Sequence, residues 1–376
     1  MDYRHHHRAG RPAAAAEPVR KQQQRQGGKG RPVTSSSQRL PVAEAEELAT
    51  RAFQRAGVSF EAARDAAEIL TLAEMMGIAT HGLKRVATYT ARIEAGGIRA
   101  GATPRVTAPA PALRQVDGDD GLGPATARLA LRKGIAAARD CGVGAVFLRR
   151  GAHLGALAPY LWIAAEAGMA AIVTTNTAPM LASAGGREAL IGNNPVGLGL
   201  PGPKGAHVML DMALSVAARS RVRAAAEMGA EIPDSWATDA TGRPTTDARA
   251  AMDGLMQAIG GAKGAQLALC LDLMVATLSG AAMLSEIPNA AKAPDQPQGL
   301  GQMFLLIDAG KLLPSDEPFA RLKDAARMVG GSAAVDPAHP PRLPGARAIA
   351  ALRRTRKRGL DLPAPLLAEL KARSGV

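Results

Sequence analysis

The stretch GAVFLRRGAHLGALAPYLWIAAEAGMAAIVT, residues 144–174, decides the fold. It reads as a short apolar strand over Gly144–Leu148, a turn through Arg149–Gly155, a helix over Ala156–Ala167 and a strand over Met169–Thr174. Strands interleaved with helices in this way mark an α/β architecture. His153 stands directly beyond the first strand, where α/β folds place ligands and working side chains. Gly151 and Gly155 flank it and permit close backbone approach. A histidine that only satisfies its own hydrogen bonds would look the same at this level.

The alternation continues downstream. Ala125–Arg139, Ala217–Met228 and Lys263–Leu278 have helical character, and His207–Met212 and Met303–Asp308 have strand character. Pro318–Met328 is a helix whose leading proline suits a first helical position. A proline-rich link, Pro337–Pro344, and a basic helix-like end follow. Upstream of residue 116 the pattern is helical. Val42–Ala56 stops at Gly57, Ser59 caps a second helix ending near Gly77, and a third runs from Thr80-His81-Gly82 to about Glu94. No internal repeat is present.

Hydrophobic residues make up 47% of the 376 residues and aromatics only 3%, so Ala, Leu, Val and Met must fill the core. So few rings argue against a stacking surface for single-stranded nucleic acid. Residues 1–40 carry nine Lys and Arg against two acids, more than half of the formal net charge of +13. Their His, Ala, Gln and Ser runs lack apolar periodicity, so residues 1–38 are expected to be a disordered basic tail. Nucleic-acid contact by this tail, or metal binding by His5, His6 and His7, is a minor expectation. The modestly basic remainder suits a small anionic substrate. Cys141 and Cys270 sit among apolar residues without CxxC spacing, which predicts buried free thiols and no metal site. No apolar signal segment opens the chain, and the apolar stretches 154–173 and 264–284 contain Glu166 and Asp272. A cytoplasmic protein without a membrane span is the expectation.

Four polar constellations stand out. His81, Arg85 and Tyr89, spaced i, i+4, i+8, fall on one helical stripe that would suit a carboxylate ligand or simply face solvent. His153 is the second. Gly192-Asn193-Asn194-Pro195 is a polar turn, and Gly260-Gly261-Ala262-Lys263-Gly264 is a glycine-rich entry to a helix, able to hold phosphate or merely to connect. Gly197-Leu198-Gly199-Leu200-Pro201-Gly202 matches GxGxxG formally. It contains proline and leads into a strand, so it is rejected as a dinucleotide fingerprint.

Taken in order, these segments resemble the malate/L-lactate dehydrogenase family that is unrelated to Rossmann-type enzymes. Thr80-His81-Gly82-x-x-Arg85-x-x-x-Tyr89 is similar to its S-H-G-x-x-R-x-x-x-Y, with Arg92-x-x-x-Gly96-Gly97-Ile98 following. Val116-Asp117-Gly118-Asp119-Asp120-Gly121-Leu122-Gly123 is similar to V-D-G-x-x-G-x-G, and His153-x-Gly155 to N-H-F-G. Thr175-Asn176-Thr177-Ala178-Pro179, Gly192-x-Asn194-Pro195, Asp211-Met212-Ala213-x-Ser215, Gly260-Gly261-x-Lys263-Gly264 and Leu343-Pro344-Gly345 continue the family order.

The resemblance implies a non-Rossmann α/β fold with a mixed sheet and helical N- and C-terminal parts packed together. It implies a homodimer that transfers a hydride between NAD or NADP and C2 of a small 2-hydroxy or 2-oxo acid. Cyclic imino-acid reduction, or metabolite binding without catalysis, is the alternative. His153 would exchange the proton, tuned near neutral pH, and His81, Arg85 and Tyr89 would surround the substrate. Thr177, Asn194, Asp211, Met212, Ala213, Lys263, Leu343, Pro344 and Gly345 would serve the cofactor. The implied segments are a substrate-side helical part at 39–115, a cofactor-binding α/β part at 116–309, and a C-terminal helical part at 310–376. Ala152 and Leu154 replace the family's Asn and Phe beside the histidine. Asn193 and Leu214 each replace a Thr. Ala262, Ala265 and Gln266 stand where aromatics or Gly are usual, which should loosen the cofactor pocket.

Overall fold

The computed structural model describes residues 37–312 and 317–376. Strand β1 (Ser37–Leu40) leads into helices α1 (Val42–Arg55) and α2 (Phe60–Met75). The Ser59 hydroxyl accepts from the Ala62 amide and caps α2, as its position before the apolar periodicity implies. Ala63, Ala66, Ala67, Ile69, Leu70 and Ala73 make the buried face of α2. The alanines let neighbouring elements approach closely, while Ile69 and Leu70 each contribute about 1.5–3 kcal/mol by leaving water. A 3-10 turn at Ala79–His81 precedes α3 (Arg85–Ala95).

Strands β2 (Arg105–Ala110) and β3 (Leu113–Asp117) open a seven-stranded sheet, continued by α4 (Gly123–Cys141), β4 (Val143–Gly151), α5 (Ala158–Glu166) and β5 (Met169–Thr175). Strands β6 (Val196–Leu200) and β7 (Val208–Met212) form its far edge. Helices α6 (Arg219–Met228), α7 (Ala248–Asp253) and α8 (Ala262–Ser279) precede the last strand of the sheet, β8 (Leu300–Asp308). The chain ends with α9 (Glu317–Gly330), α10 (Ala346–Arg358), β9 (Leu360–Pro363) and α11 (Ala364–Ser374).

The spatial order is β2-β3-β4-β8-β5-β6-β7. Only β3 and β4 run parallel; β8 lies between β4 and β5 and is antiparallel to both. This mixed sheet differs from the parallel Rossmann arrangement. Gly197 and Gly199 lie inside β6, and the chain passes through a three-residue 3-10 turn at Pro203–Gly205 into β7, so the GxGxxG match opens no α-helix.

Gly134 of α4 sits against Leu306, whereas Gly301 sits against Val275 of α8. Positions 301 and 306 of β8 face opposite sides by strand alternation, so α4 and α8 cover the two faces. At the ends of the described chain, β1 pairs with β9 and α1 packs on α11, joining the N- and C-terminal helical parts as expected.

Several expectations are corrected. Ser37–Leu40, ahead of the expected start near Pro41, already forms a strand, because β1 is paired by a strand more than 300 residues away. The other expectations for the tail, including His5, His6 and His7 and nucleic-acid contact, lie outside the described residues. Both cysteines are exposed, not buried. Cys141 is the last residue of α4, and Cys270 lies on the opposite face of α8 from buried Ala268 and Asp272. Among the described residues, α8 is the one helix long and apolar enough to cross a membrane. Its Asp272 is fully buried and bonded to the Asn194 amide.

Candidate active site

Strand register gathers the candidate residues at one end of the sheet. Gly151 at the end of β4 pairs with Leu300, and Thr175 at the end of β5 pairs with Gln302 two residues along β8. At the same end β6 begins and β7 finishes, through the pair Val196–Met212. His153, Thr177, Asn194, Met212 and Ala213 therefore emerge side by side from separate strands.

His153 meets the helical N-terminal part here. The Tyr89 hydroxyl lies 2.6 Å from His153 Nδ1, and the Gly155 amide donates to the same nitrogen at 3.3 Å. With Nδ1 receiving these donors, the neutral ring carries its proton on Nε2. The His81 ring stacks on His153 with centroids 5.6 Å apart and planes 25° from parallel. Arg85 is half-buried and gives Nε to the Thr80 carbonyl; among the described residues its terminal nitrogens have no protein partner.

The expected helical stripe is only partly present. Tyr89 and Arg85 lie on α3, but His81 ends a separate 3-10 turn. The Glu74 carboxylate accepts from the Leu83 amide and interrupts the helical ladder there. The three side chains still converge, by tertiary folding rather than by helical spacing.

The surroundings of His153 in the ligand-free chain favour the neutral imidazole. Burial first, then Arg85, His81 and Arg92, hold the imidazole well below its usual range in the ligand-free chain. His81 is pushed down to about 4 by burial and by Arg85. Burial drives the Tyr89 phenol up, so it keeps its proton. Arg92, 4% exposed, bonds Gln298 and the carbonyls of Gly97 and Gln296, fixing that segment beside Tyr89.

The cofactor candidates divide in two. Thr177 gives its amide to Asn194 Oδ1 and its hydroxyl to Asn193 Oδ1. Asn194 is fully buried, and its Nδ2 donates to Ala268 O and Asp272, so it positions Thr177 and α8 rather than facing a ligand. Asp211 Oδ2 accepts from the Leu157 and Ala158 amides, both at 2.9 Å, and so caps the start of α5. Met212 and Ala213 are half-buried at the end of β7. The Leu343–Gly345 turn reaches that strand through Met209 N to Pro344 O.

Lys263 is exposed in the first turn of α8, after Gly260 and Gly261, both with φ of +62°. A cavity of about 200 Å³ beside it is lined by Gly185, Gly186, Gly261, Ala262 and Ala265 among others. Open backbone amides at a helix start, a lysine and a small-residue cradle fit a phosphate-bearing nucleotide.

One supporting residue escapes the sequence. Gln302 is fully buried and gives Nε2 to the Ala152 carbonyl, next to His153, while its Oε1 has no partner among the described residues. The available signal was a lone amide at the start of an otherwise apolar strand.

Comparison with known proteins accords with this geometry. The family described as malate/L-lactate dehydrogenase matches residues 40–371. A (2R)-3-sulfolactate dehydrogenase (NADP+) of Chromohalobacter salexigens is 34% identical over 337 residues, covering 89% of this chain and 98% of that protein. A Δ1-pyrroline-2-carboxylate reductase of Ancylobacter novellus is 33% identical, covering 89% and 97%. A solved dehydrogenase structure from Sinorhizobium meliloti superposes with a TM-score of 0.79 at 32% identity, covering 90% of this chain and 99% of that one. A sulfolactate dehydrogenase structure from Methanocaldococcus jannaschii gives 0.82 at 27% identity, covering 90% and 97%. The match spans both the helical part carrying Tyr89 and the sheet end carrying His153, and the chain belongs to the malate/L-lactate dehydrogenase family of oxidoreductases.

Proposed function

We propose that the protein interconverts a small 2-oxo acid and its 2-hydroxy acid by hydride transfer with NAD(P), His153 exchanging the proton. The main support is the Tyr89–His153–His81 cluster beside Arg85, at the sheet end that also carries Thr177 and Met212. Arg85 has terminal nitrogens to offer a carboxylate, an interaction of about 1.5–3 kcal/mol net for a charge-assisted bond. Burial depresses His153 most and the Arg85 charge next; a bound carboxylate offsets the Arg85 charge, so the imidazole gains basicity as substrate arrives.

Reduction sends the His153 proton to the C2 oxygen; oxidation returns it to the neutral ring. Protonated His153 needs an acceptor at Nδ1, and the Tyr89 oxygen can provide one by rotating its hydroxyl. The nicotinamide supplies or accepts the hydride when bound. Thr177, Met212, Ala213, Lys263 and the Leu343–Gly345 turn would hold it, with Asn194 and Asp211 as supports behind them.

A second function has specific support. A His153 held neutral is a poor acid for a ketone, whereas a cyclic imine protonated in solution brings its own proton. The name of the Ancylobacter relative agrees with such a substrate class. Initial rates with NADH and NADPH against oxaloacetate, pyruvate, sulfopyruvate, ureidoglycolate and a cyclic imino acid separate the two. Steady nicotinamide absorbance with every substrate would leave a metabolite-binding protein and reject both.

We also propose a cytoplasmic homodimer. Leu267, Cys270, Met274 and Leu278 are exposed along one face of α8, which supports a subunit contact. Sedimentation velocity giving only a monomer contradicts it.

A further inference from the structure

The Val116–Gly123 turn has so far no task, and its residues grip the strand that delivers His153. Strand β4 loses register with β8 between Leu148 and Gly151, so Arg149 and Arg150 form a bulge just ahead of the histidine. Arg150 sits in the left-handed region at φ 50°, and Asp119 and Asp120 opposite sit there at 52° and 53°. None is glycine, so surrounding contacts must hold all three. Bulges of this kind re-aim side chains at sheet edges and active sites.

The contacts are unusually complete. The Arg150 guanidinium donates to Asp120 Oδ2 from Nε at 3.0 Å and from NH2 at 2.7 Å. It also donates to Asp119 Oδ1 at 3.0 Å and Asp117 Oδ1 at 3.2 Å. Backbone bonds run in parallel, from the Gly118 amide to Arg149 O and from the Asp120 amide to Arg150 O. A Cβ on Gly118 would come within 2.8 Å of the Arg150 carbonyl, so glycine permits the approach. At the far end of the turn, a Cβ on Gly123 would lie 2.3 Å from the His153 carbonyl. The turn thus holds the bulge with one end and supports the His153 backbone with the other.

We infer that Arg150, locked to Asp117, Asp119 and Asp120, is a positioning residue that aims His153 at Tyr89 and the substrate. It touches no reacting atom and acts through the bulge. The kinetic part of this inference rests on the proposed hydride transfer; the geometric part does not.

Arg150→Gly tests it, because glycine keeps the left-handed backbone while deleting the guanidinium. The expected result is a kcat lower by about 10- to 100-fold, the scale of an ångström-sized misplacement, with nucleotide Kd changed less than about 3-fold. In the ligand-free protein, the His153 imidazole 15N resonances shift as the Tyr89 bond to Nδ1 loosens. Asp120→Asn, which keeps the shape and removes one charge, gives smaller changes in the same direction. Arg39→Gln, which breaks the exposed pair with Asp361 elsewhere, changes neither reading. Wild-type kcat together with unmoved His153 resonances in Arg150→Gly overturns the inference; if that variant does not fold, the same result in Asp120→Asn does. Should the wild type turn over no substrate, the proposed function fails separately and the resonances alone decide.

Discussion

The loop carrying His153 and the first turn of α8 carrying Lys263 are built in opposite ways. His153 is bonded at Nδ1 by Tyr89 and Gly155, its neighbour Ala152 is held by Gln302, and its own carbonyl rests over Gly123. Gly260 and Gly261 have open space around them, and Lys263 and Ala262 are exposed. Proton transfer tolerates little displacement, and the role proposed for His153 suits a group fixed from several sides. Nucleotide recognition is spread over many weaker contacts, and sequence can change there at lower cost.

The largest predicted effect falls on the fixed side. His153→Gln should lower kcat by about 10²- to 10⁴-fold while leaving nucleotide Kd within about 3-fold of wild type. Matched calorimetry and initial rates check it, and unchanged kcat would remove His153 from the chemistry. Next, Arg85→Leu should raise KM for the acid by about 10- to 100-fold, the equivalent of one charge-assisted contact. A variant that loses nucleotide affinity instead would place Arg85 on the other side of the comparison.

A stability effect follows from the two depressed imidazoles. His81 and His153 both titrate below 6.5 in the folded chain, so the unfolded chain takes up protons first on acidification. Their contribution is fully present above pH 6.5 and is lost as pH falls, for His81 between 6.5 and about 4. His81→Asn should make the fall in Tm over this window smaller by roughly 2–4 °C. A Tm–pH curve parallel to wild type argues against buried, neutral His81. The smallest effect belongs to the open side: Lys263→Ala should weaken nucleotide binding by only about 2- to 5-fold, as expected of an exposed charge.

Much of this contrast was legible in the chain itself. The strand–turn–helix reading of residues 144–167 placed His153 beyond a strand, and the Ser59 cap and the rejected GxGxxG match hold in three dimensions. The parts that escaped depend on partners distant in sequence. Strands β1 and β9 are four residues each and gain meaning only when paired. His81 fits a helical stripe by spacing, but Glu74, on another helix, breaks that stripe. Nothing near Asp211 in sequence announces that it caps α5 through the amides of Leu157 and Ala158. The exposure of Cys270 needed to be seen because α8 is apolar on nearly all sides and offers no periodicity to orient it.

The proposed function has His153 neutral when alone and gaining its proton with the substrate. Its most direct test is an NMR titration of the His153 imidazole from pH 4 to 9, with reduced nucleotide present, before and after adding oxamate as an unreactive 2-oxo acid analogue. The imidazole should titrate below pH 6.5 without oxamate and with a higher midpoint in its presence. A midpoint at or above 6.5 without oxamate, or one that oxamate leaves in place, would contradict it.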